Sequence, residues 1–365
     1  MKVVILHDYL TQPGGAERVV ATLLERWPQA ELRTFVYDAG GTFPEFAAHD
    51  PRTSVLQPVA ERVSHRALLP VLPFAARSLA VTDADVVISS SSGWAHGIPV
   101  ADGIPHVCYC HNPPRWVYDA DAYIDNRWMR DGLRPVLRGL RAWDQRAARR
   151  PTRYVANSYN VQERIRRAYG READVVHPPI DTHRLSPTPM PADGGYLFAL
   201  SRLLPYKRVD LAIAAAQRVG LPLVVAGDGP DRRRLEALGG PSVRFLGRVA
   251  DEDIPGLYAG AAAFFLGGKE DFGITPLEAN AAGRPVVAYG AGGALETVRD
   301  GETGVLFGSQ DADAATAALR RALAIDWSPD RLAAHADGFS AGTFLDRMEA
   351  IVDEELARSG RRAAA

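Results

Sequence analysis

The sequence predicts an α/β protein of two doubly wound domains, each a parallel sheet flanked by helices. Three observations carry this expectation. Short apolar runs alternate with helical patterns along the chain, the order that yields parallel sheets. The alternation stops at residues 178–195, a stretch with five prolines and Gly194-Gly195, and then restarts. Finally, 365 residues exceed what one ordinary core serves, so two domains are the default.

Element by element, Val3–Leu6 reads as a first strand whose apolar run ends at His7 and Asp8. Pro13-Gly-Gly-Ala-Glu17 leads into a helix that ends near Trp27. Further strands are expected near Leu32–Val36, Asp85–Ser90, His106–Cys110, Tyr154–Asn157 and Asp174–Val176. After the proline-rich stretch come a strand at Tyr196–Leu200, a helix at Val209–Val219 and a strand at Leu223–Ala226. Strands at Val243–Leu246, Ala262–Leu266 and Pro285–Tyr289 follow. The expected domains are residues 1–185 and 186–345, with a C-terminal helix over about 345–358 able to pack back on the first.

Bulk composition narrows the class. Hydrophobic content of 47% and charged content of 24% are globular values, and a net charge of −2 gives no global call for nucleic acid. The start does not read as a signal peptide, because its apolar run breaks at His7. No run approaches the ~18 apolar residues of a membrane span. Cys108 and Cys110 sit two apart on one strand, a poor geometry for a bridge, and read as reduced core thiols of a cytoplasmic protein.

One segment is strongly basic. Residues 127–153 hold nine arginines against Asp131 and Asp144. Arg127, Arg130, Arg134, Arg138 and Arg141 recur at helical spacing, with Met129, Leu133, Val136, Leu140 and Trp143 as a second stripe. This is either a surface helix with its apolar stripe in the core or a face that docks on anionic lipid.

The chemistry-bearing residues lie where strands end. Glu270 falls in the loop after the Ala261–Leu266 run, the place where open α/β sheets bind ligands. Thr275-Pro276-Leu277-Glu278 then opens a helix, with Thr275 suited to the N-cap and Glu278 to the capping-box position. Backbone N–H groups around Ile274 and Thr275 favour an anion there. Arg202 and Lys207, after another strand, suit a diphosphate, although either alone is equally a solvated surface cation. Gly14-Gly15 allows close approach of backbone to an anion or simply makes a tight turn. Gly227-Asp-Gly229 and Gly290-Ala-Gly-Gly293 also follow strands but complete no dinucleotide fingerprint. His111 begins the stiff loop His-Asn-Pro-Pro-Arg-Trp116. No metal motif and no nucleophile elbow is present in the sequence.

Taken in order, Gly14-Gly15 with Glu17, His111, Ser201-Arg-Leu-x-x-x-Lys207, Gly227-Asp-Gly229 and Glu270-x₇-Glu278 resemble a family 4 retaining glycosyltransferase. That family has the GT-B fold, two Rossmann-like domains facing a cleft. The wording of the His111, Arg202 and Glu270 segments is similar to that of bacterial mannosyltransferases which build O-antigen and exopolysaccharide units from GDP-mannose. The loop Cys110-His-Asn-Pro-Pro departs from the commoner His-Thr-Pro form, and Gly267-Gly268-Lys269 departs from the small and acidic residues expected before Glu270.

The resemblance implies hexosyl transfer from a GDP-sugar, or a UDP-sugar, with retention and front-face attack. It implies a glycan or polyprenyl-diphosphate-linked acceptor. No cofactor and no metal are expected, since Arg202 and Lys207 already neutralise the diphosphate. Glu270 and His111 would contact the sugar, Glu278 the ribose and Val249 the base, with Gly14, Gly15, Ile274 and Thr275 along the nucleotide. The rival functions are a GT-B-like epimerase or hydrolase and a non-catalytic binding module. The expected place is cytoplasmic, either free or peripheral on the inner face of the membrane.

Overall fold

The computed structural model describes residues 1–63, 65–118, 127–181, 184–192 and 194–360, with backbone alone for residues 65–66 and 127–131. The side chains of Arg127, Met129 and Arg130 therefore lie outside the description. The chain forms two compact units: residues 1–177 with the segment from Phe344 onward, and residues 178–343. The division falls at Pro178, where the sequence reading placed it after 185. Ile180 and Leu185, inside the proline-rich stretch, are buried in the second unit's core.

The first unit runs β1 (Val3–Leu10), α1 (Gly15–Arg26), β2 (Glu31–Tyr37), β3 (Arg52–Thr53), β4 (Val86–Ser91), β5 (His106–Cys110), α2 (Arg127–Ala147), β6 (Arg153–Ala156) and β7 (Asp174–Val175). These seven strands form one parallel sheet in the order β3-β2-β1-β4-β5-β6-β7. Side chains of β1 alternate between its two faces, as strand geometry requires. Val3 and Ile5 join one buried cluster with α1, while Val4 and Leu6 join another with Trp94 and Leu140.

The second unit runs β8 (Tyr196–Leu200), β9 (Leu223–Ala226), β10 (Val243–Gly247), α3 (Ile254–Ala259), β11 (Ala261–Leu266), α4 (Ile274–Ala281), β12 (Val286–Tyr289) and β13 (Gly304–Phe307), with further helices at Val209–Val219, Ala312–Ala324 and Pro329–Asp337. Its sheet is also parallel, in the order β10-β9-β8-β11-β12-β13. The last helix, α5 (Ala341–Arg358), returns to the first unit. Phe344, Met348 and Val352 of α5 pack into the α1 cluster, and Arg26 pairs with Asp346 and Glu349.

Three differences from the sequence reading have physical causes. β1 continues through His7 and Asp8 to Leu10, because both side chains are buried with hydrogen-bond partners rather than turned to solvent. The strands β3 and β13 were not foreseen; the first is two residues long, and the second follows a turn at Gly301–Thr303. In α2 the apolar stripe reaches the core at Leu140, 6% exposed, whereas Leu133 and Val136 are 37% and 48% exposed. Cys108 and Cys110 are free and buried. Among the described residues, no helix is long and apolar enough to cross a membrane.

Candidate functional site

Both sheets reverse strand order once, beside the first strand of each unit. The crossovers lie between β1 and β4 and between β8 and β11. Loops that leave such a crossover diverge at the carboxyl ends of the strands and open a crevice for ligands. The sequence-predicted residues lie at these ends.

In the second unit, β8 ends at Leu200 and a loop carries Ser201 to Arg208. Pro205–Lys207 forms a single tight turn, and Arg208 is left-handed at φ 52°, held by its guanidinium on Asp210 and the Gln310 carbonyl. This turn aims Lys207 at the loop after β11, where its Nζ donates to Glu270 Oε1. The pair is largely shielded, with side chains 16% and 20% exposed. Gly267 and Gly268 make the approach possible. A Cβ on Gly268 would lie 2.7 Å from the Tyr206 carbonyl oxygen, and one on Gly267 would lie 2.6 Å from that of Arg208. These glycines, unexpected in the sequence, are what the close packing of the two loops requires.

Behind Glu270, its carbonyl accepts from Gly293 N–H at 3.0 Å. A Cβ on Gly292, whose φ is +64°, would strike that same carbonyl at 2.3 Å. The glycine run after β12 is thus a seat for the Glu270 backbone. Arg202 is exposed and, among the described residues, no side-chain hydrogen bond or ion pair engages it. The loop therefore holds two paired cations, Lys207 and Arg208, and one, Arg202, that no ion pair engages among the described residues.

The entry to α4 corrects the capping expectation. The N-cap is Gly273, at φ 93°, a residue with no side chain to cap the helix. Ile274 and Thr275 are its first two residues and Pro276 the third, a place where the missing N–H costs no intrahelical bond. The N–H groups of Ile274 and Thr275 have no intrahelical acceptor. Glu278 does not serve a capping box. Its Oε2 accepts from the Tyr258 hydroxyl at 3.0 Å, and that hydroxyl is also 3.3 Å from the Thr275 carbonyl. Tyr258, in α3, is fully buried and packs edge-on against Phe198. Burial, then the Glu278 carboxylate, pushes its hydroxyl well above the usual tyrosine range. Val249 is half-buried beyond β10, packed against the same core.

In the first unit, Gly14 is the N-cap of α1 and Gly15 its first residue. A Cβ on Gly14 would come 2.4 Å from Glu17 Oε2, so the glycine leaves room for a carboxyl folded beneath the turn. Glu17 is 2% exposed, and burial is the main cause that raises its carboxyl to about 7. His111 follows β5. Its N–H donates to the Ser91 carbonyl at 2.8 Å, and its carbonyl accepts from Asn157. Its Nε2 lies 2.8 Å from Ser90 Oγ. Burial, then His7, lowers its pKa to about 3.

Sequence reading missed His7, Asp8, Ser90 and Tyr258. Asp8 is buried and accepts the backbone N–H groups of Ser92, Gly93, Trp94 and Ala95 at 2.6–2.8 Å, which fixes the loop after β4. The available signal was a polar pair inside an apolar strand run, taken as the strand's end. Among the described residues no cluster of His, Cys, Asp and Glu suited to a metal is found.

Two Rossmann-like units, each with polar side chains gathered at the strand ends, define the GT-B class. Within that class the chain belongs to the family 4 glycosyltransferases. A family model described as Glycosyltransferase Family 4 matches residues 13–184, and one described as Glycosyl transferases group 1 matches residues 186–337. The chain is 32% identical over 225 residues to a GDP-mannose-dependent alpha-(1-6)-phosphatidylinositol monomannoside mannosyltransferase of Mycolicibacterium smegmatis, covering 51% of this chain and 58% of the relative. It is 30% identical over 287 residues to a D-inositol 3-phosphate glycosyltransferase of Geodermatophilus obscurus, covering 66% and 62%. The matched region thus spans about three fifths of those two relatives. Among solved structures, Anabaena HepE in complex with UDP superposes with a TM-score of 0.71 at 20% identity, covering 97% of this chain and all of that one. Sucrose-phosphate synthase from Thermosynechococcus elongatus gives 0.72 at 16% identity, covering 98% and 100%. At these identities the likeness is one of fold.

Proposed function

We propose that the chain transfers a hexose, mannose from GDP-mannose, to a glycan or lipid-linked acceptor with retention of configuration. The observation that carries this reading is the Lys207–Glu270 pair at the crossover of the second sheet, with Arg202 beside it on the same loop. The named function of the Mycolicibacterium relative supports the donor.

In this reading the anomeric C–O bond breaks and its electron pair leaves on the β-phosphate. Arg202, Lys207 and the first-turn N–H groups of α4 neutralise that charge, a contribution of a few kcal/mol for each preorganised group. The acceptor hydroxyl attacks the same face, and its proton passes to the departing phosphate oxygen. Glu270 and His111 hold the sugar, Glu278 holds the ribose, and Val249, Gly14 and Gly15 line the nucleotide. The cationic side chains take the part a metal could take, so turnover is expected to survive chelation.

A UDP-sugar donor is the second reading, because Anabaena HepE is seen with UDP and UDP-glucose. A panel of donors scored by release of GDP or UDP decides between them. Turnover of donor without acceptor would instead mark an epimerase or hydrolase. For a lipid-linked acceptor, α2 supplies the docking face: Leu133 and Val136 are exposed beside Arg134 and Arg138. Sedimentation with anionic but not neutral vesicles is expected at low salt, and loss of it in the Arg134→Ser, Arg138→Ser double variant. Equal, negligible sedimentation with both kinds of vesicle removes the membrane from this reading.

A further inference from the structure

The carboxyl ends of β1, β4 and β5 carry a chain of three side chains, two of them buried and the third, His111, half-buried. His7 lies opposite Ser90 in the β1–β4 register. His7 Nδ1 is 3.1 Å from the Ser90 carbonyl oxygen and 3.1 Å from Ser90 Oγ. Ser90 Oγ is in turn 2.8 Å from His111 Nε2. His7 is 2% exposed and Ser90 fully buried.

The protons in this chain can be assigned by counting donors. A carbonyl oxygen only accepts, so His7 Nδ1 must carry a hydrogen. That hydrogen points at the Ser90 carbonyl and its neighbouring Oγ. A nitrogen with its hydrogen attached has no lone pair in the ring plane, so the single Ser90 hydroxyl hydrogen is not given to His7. It goes to His111 Nε2, which must then be the unprotonated nitrogen. The neutral ring of His111 therefore carries its hydrogen on Nδ1. A hydrogen on His111 Nε2 would face the Ser90 hydroxyl with no acceptor for the hydroxyl's own hydrogen inside this chain. Burial favours neutral imidazoles at both ends: it lowers His7, against the pull of Asp8, and it lowers His111.

We propose that His7 and Ser90 are positioning residues that hold His111 as the neutral, Nδ1-protonated tautomer. The inference deepens the reading in which His111 touches the transferred sugar, and it rests on that reading. Cleavage of the anomeric bond leaves positive charge on the sugar ring. An imidazolium beside that charge would oppose it, whereas a neutral N–H donor can grip a hydroxyl without that penalty. The tautomer is fixed because an imidazole free to exchange would offer an acceptor part of the time.

The test is ¹H–¹⁵N long-range correlation on protein with ¹⁵N-labelled histidine at pH 7, the His111 signals assigned by their loss in His111→Gln. The expected result is a pyrrole-type shift for Nδ1 and a pyridine-type shift for Nε2. A protonated Nε2, or two equivalent imidazolium nitrogens, overturns the proposal. Ser90→Ala is expected to give intermediate, exchange-averaged shifts and a fall in kcat of about tenfold, the loss of one neutral hydrogen bond. The KM for donor should hold, and Ser90→Thr should restore the shifts. Unchanged His111 shifts in Ser90→Ala also overturn it. If the wild-type shifts are as expected but His111→Gln turns over normally, the sugar-contacting role fails while the tautomer assignment stands.

Discussion

Lys207 and Glu270 form an ion pair across the ends of β8 and β11, 63 residues apart in the chain. Each compensates the other's charge. The two side chains proposed for diphosphate and for sugar are thus coupled. In the proposed function, a diphosphate that draws Lys207 away would leave Glu270 free to accept from a sugar hydroxyl.

This coupling sets the outcome of Glu270→Gln. Turnover is expected to fall roughly 10²–10³-fold, as for the loss of one preorganised polar contact in a transition state. Affinity for nucleoside diphosphate should hold or rise, because Lys207 no longer has a competing carboxylate. Calorimetric titration with GDP alongside steady-state rates checks both. Weaker GDP binding with normal turnover is the outcome that removes Glu270 from the sugar.

The two cations should differ when removed. Arg202→Ala takes away an exposed group that no ion pair engages among the described residues, and the expected cost is that of one charge-assisted bond, about 1.5–3 kcal/mol in GDP affinity. Lys207→Ala leaves Glu270 uncompensated beside the incoming diphosphate, so its loss should be the larger. Adding Glu270→Gln to Lys207→Ala should recover part of the affinity, and a double variant no better than Lys207→Ala alone contradicts the coupling.

Tyr258→Phe tests the support beneath Glu278. The ring keeps its packing on Phe198 and Phe264, but the 3.0 Å bond to Glu278 Oε2 is lost. If Glu278 holds the ribose, donor KM should rise about tenfold, with kcat at saturating donor retained. A fall in kcat with unchanged KM argues that Tyr258 serves the chemical step instead.

The architecture was legible because apolar runs such as Ala261–Leu266 and Leu223–Ala226 declare buried parallel strands by composition alone. Strand ends then marked Glu270, Lys207 and His111 as loop residues. Pairings were not legible. Lys207–Glu270 arises from the crossover that sets β8 beside β11, and Tyr258–Glu278 from the packing of the helices on either side of β11, so no local pattern encodes them. Local rules also misled where tertiary packing outweighs them. Thr275 fits an N-cap, yet the left-handed Gly273 starts the helix earlier, and His7 and Asp8 look like the end of a strand because their partners are 83 and more residues away.

Glu17 gives the molecule a pH signature. Its carboxyl is raised to about 7, first by burial and further by Asp8, against hydrogen bonds from its own N–H, Gln12 and Gly14. In the unfolded chain it ionises near 4.5, so between there and pH 7 the folded state retains a proton that the unfolded state has lost. Its contribution is fully present below the unfolded value and is lost as pH rises through the folded one. The expected loss is about 3 kcal/mol by neutral to mildly alkaline pH. Glu17→Gln removes this titration while keeping a side chain of the same shape under Gly14. Urea unfolding of both proteins from pH 5 to pH 8 should show the variant gaining steadily on the wild type. A difference that stays constant across that range means the Glu17 carboxyl ionises normally in the folded protein.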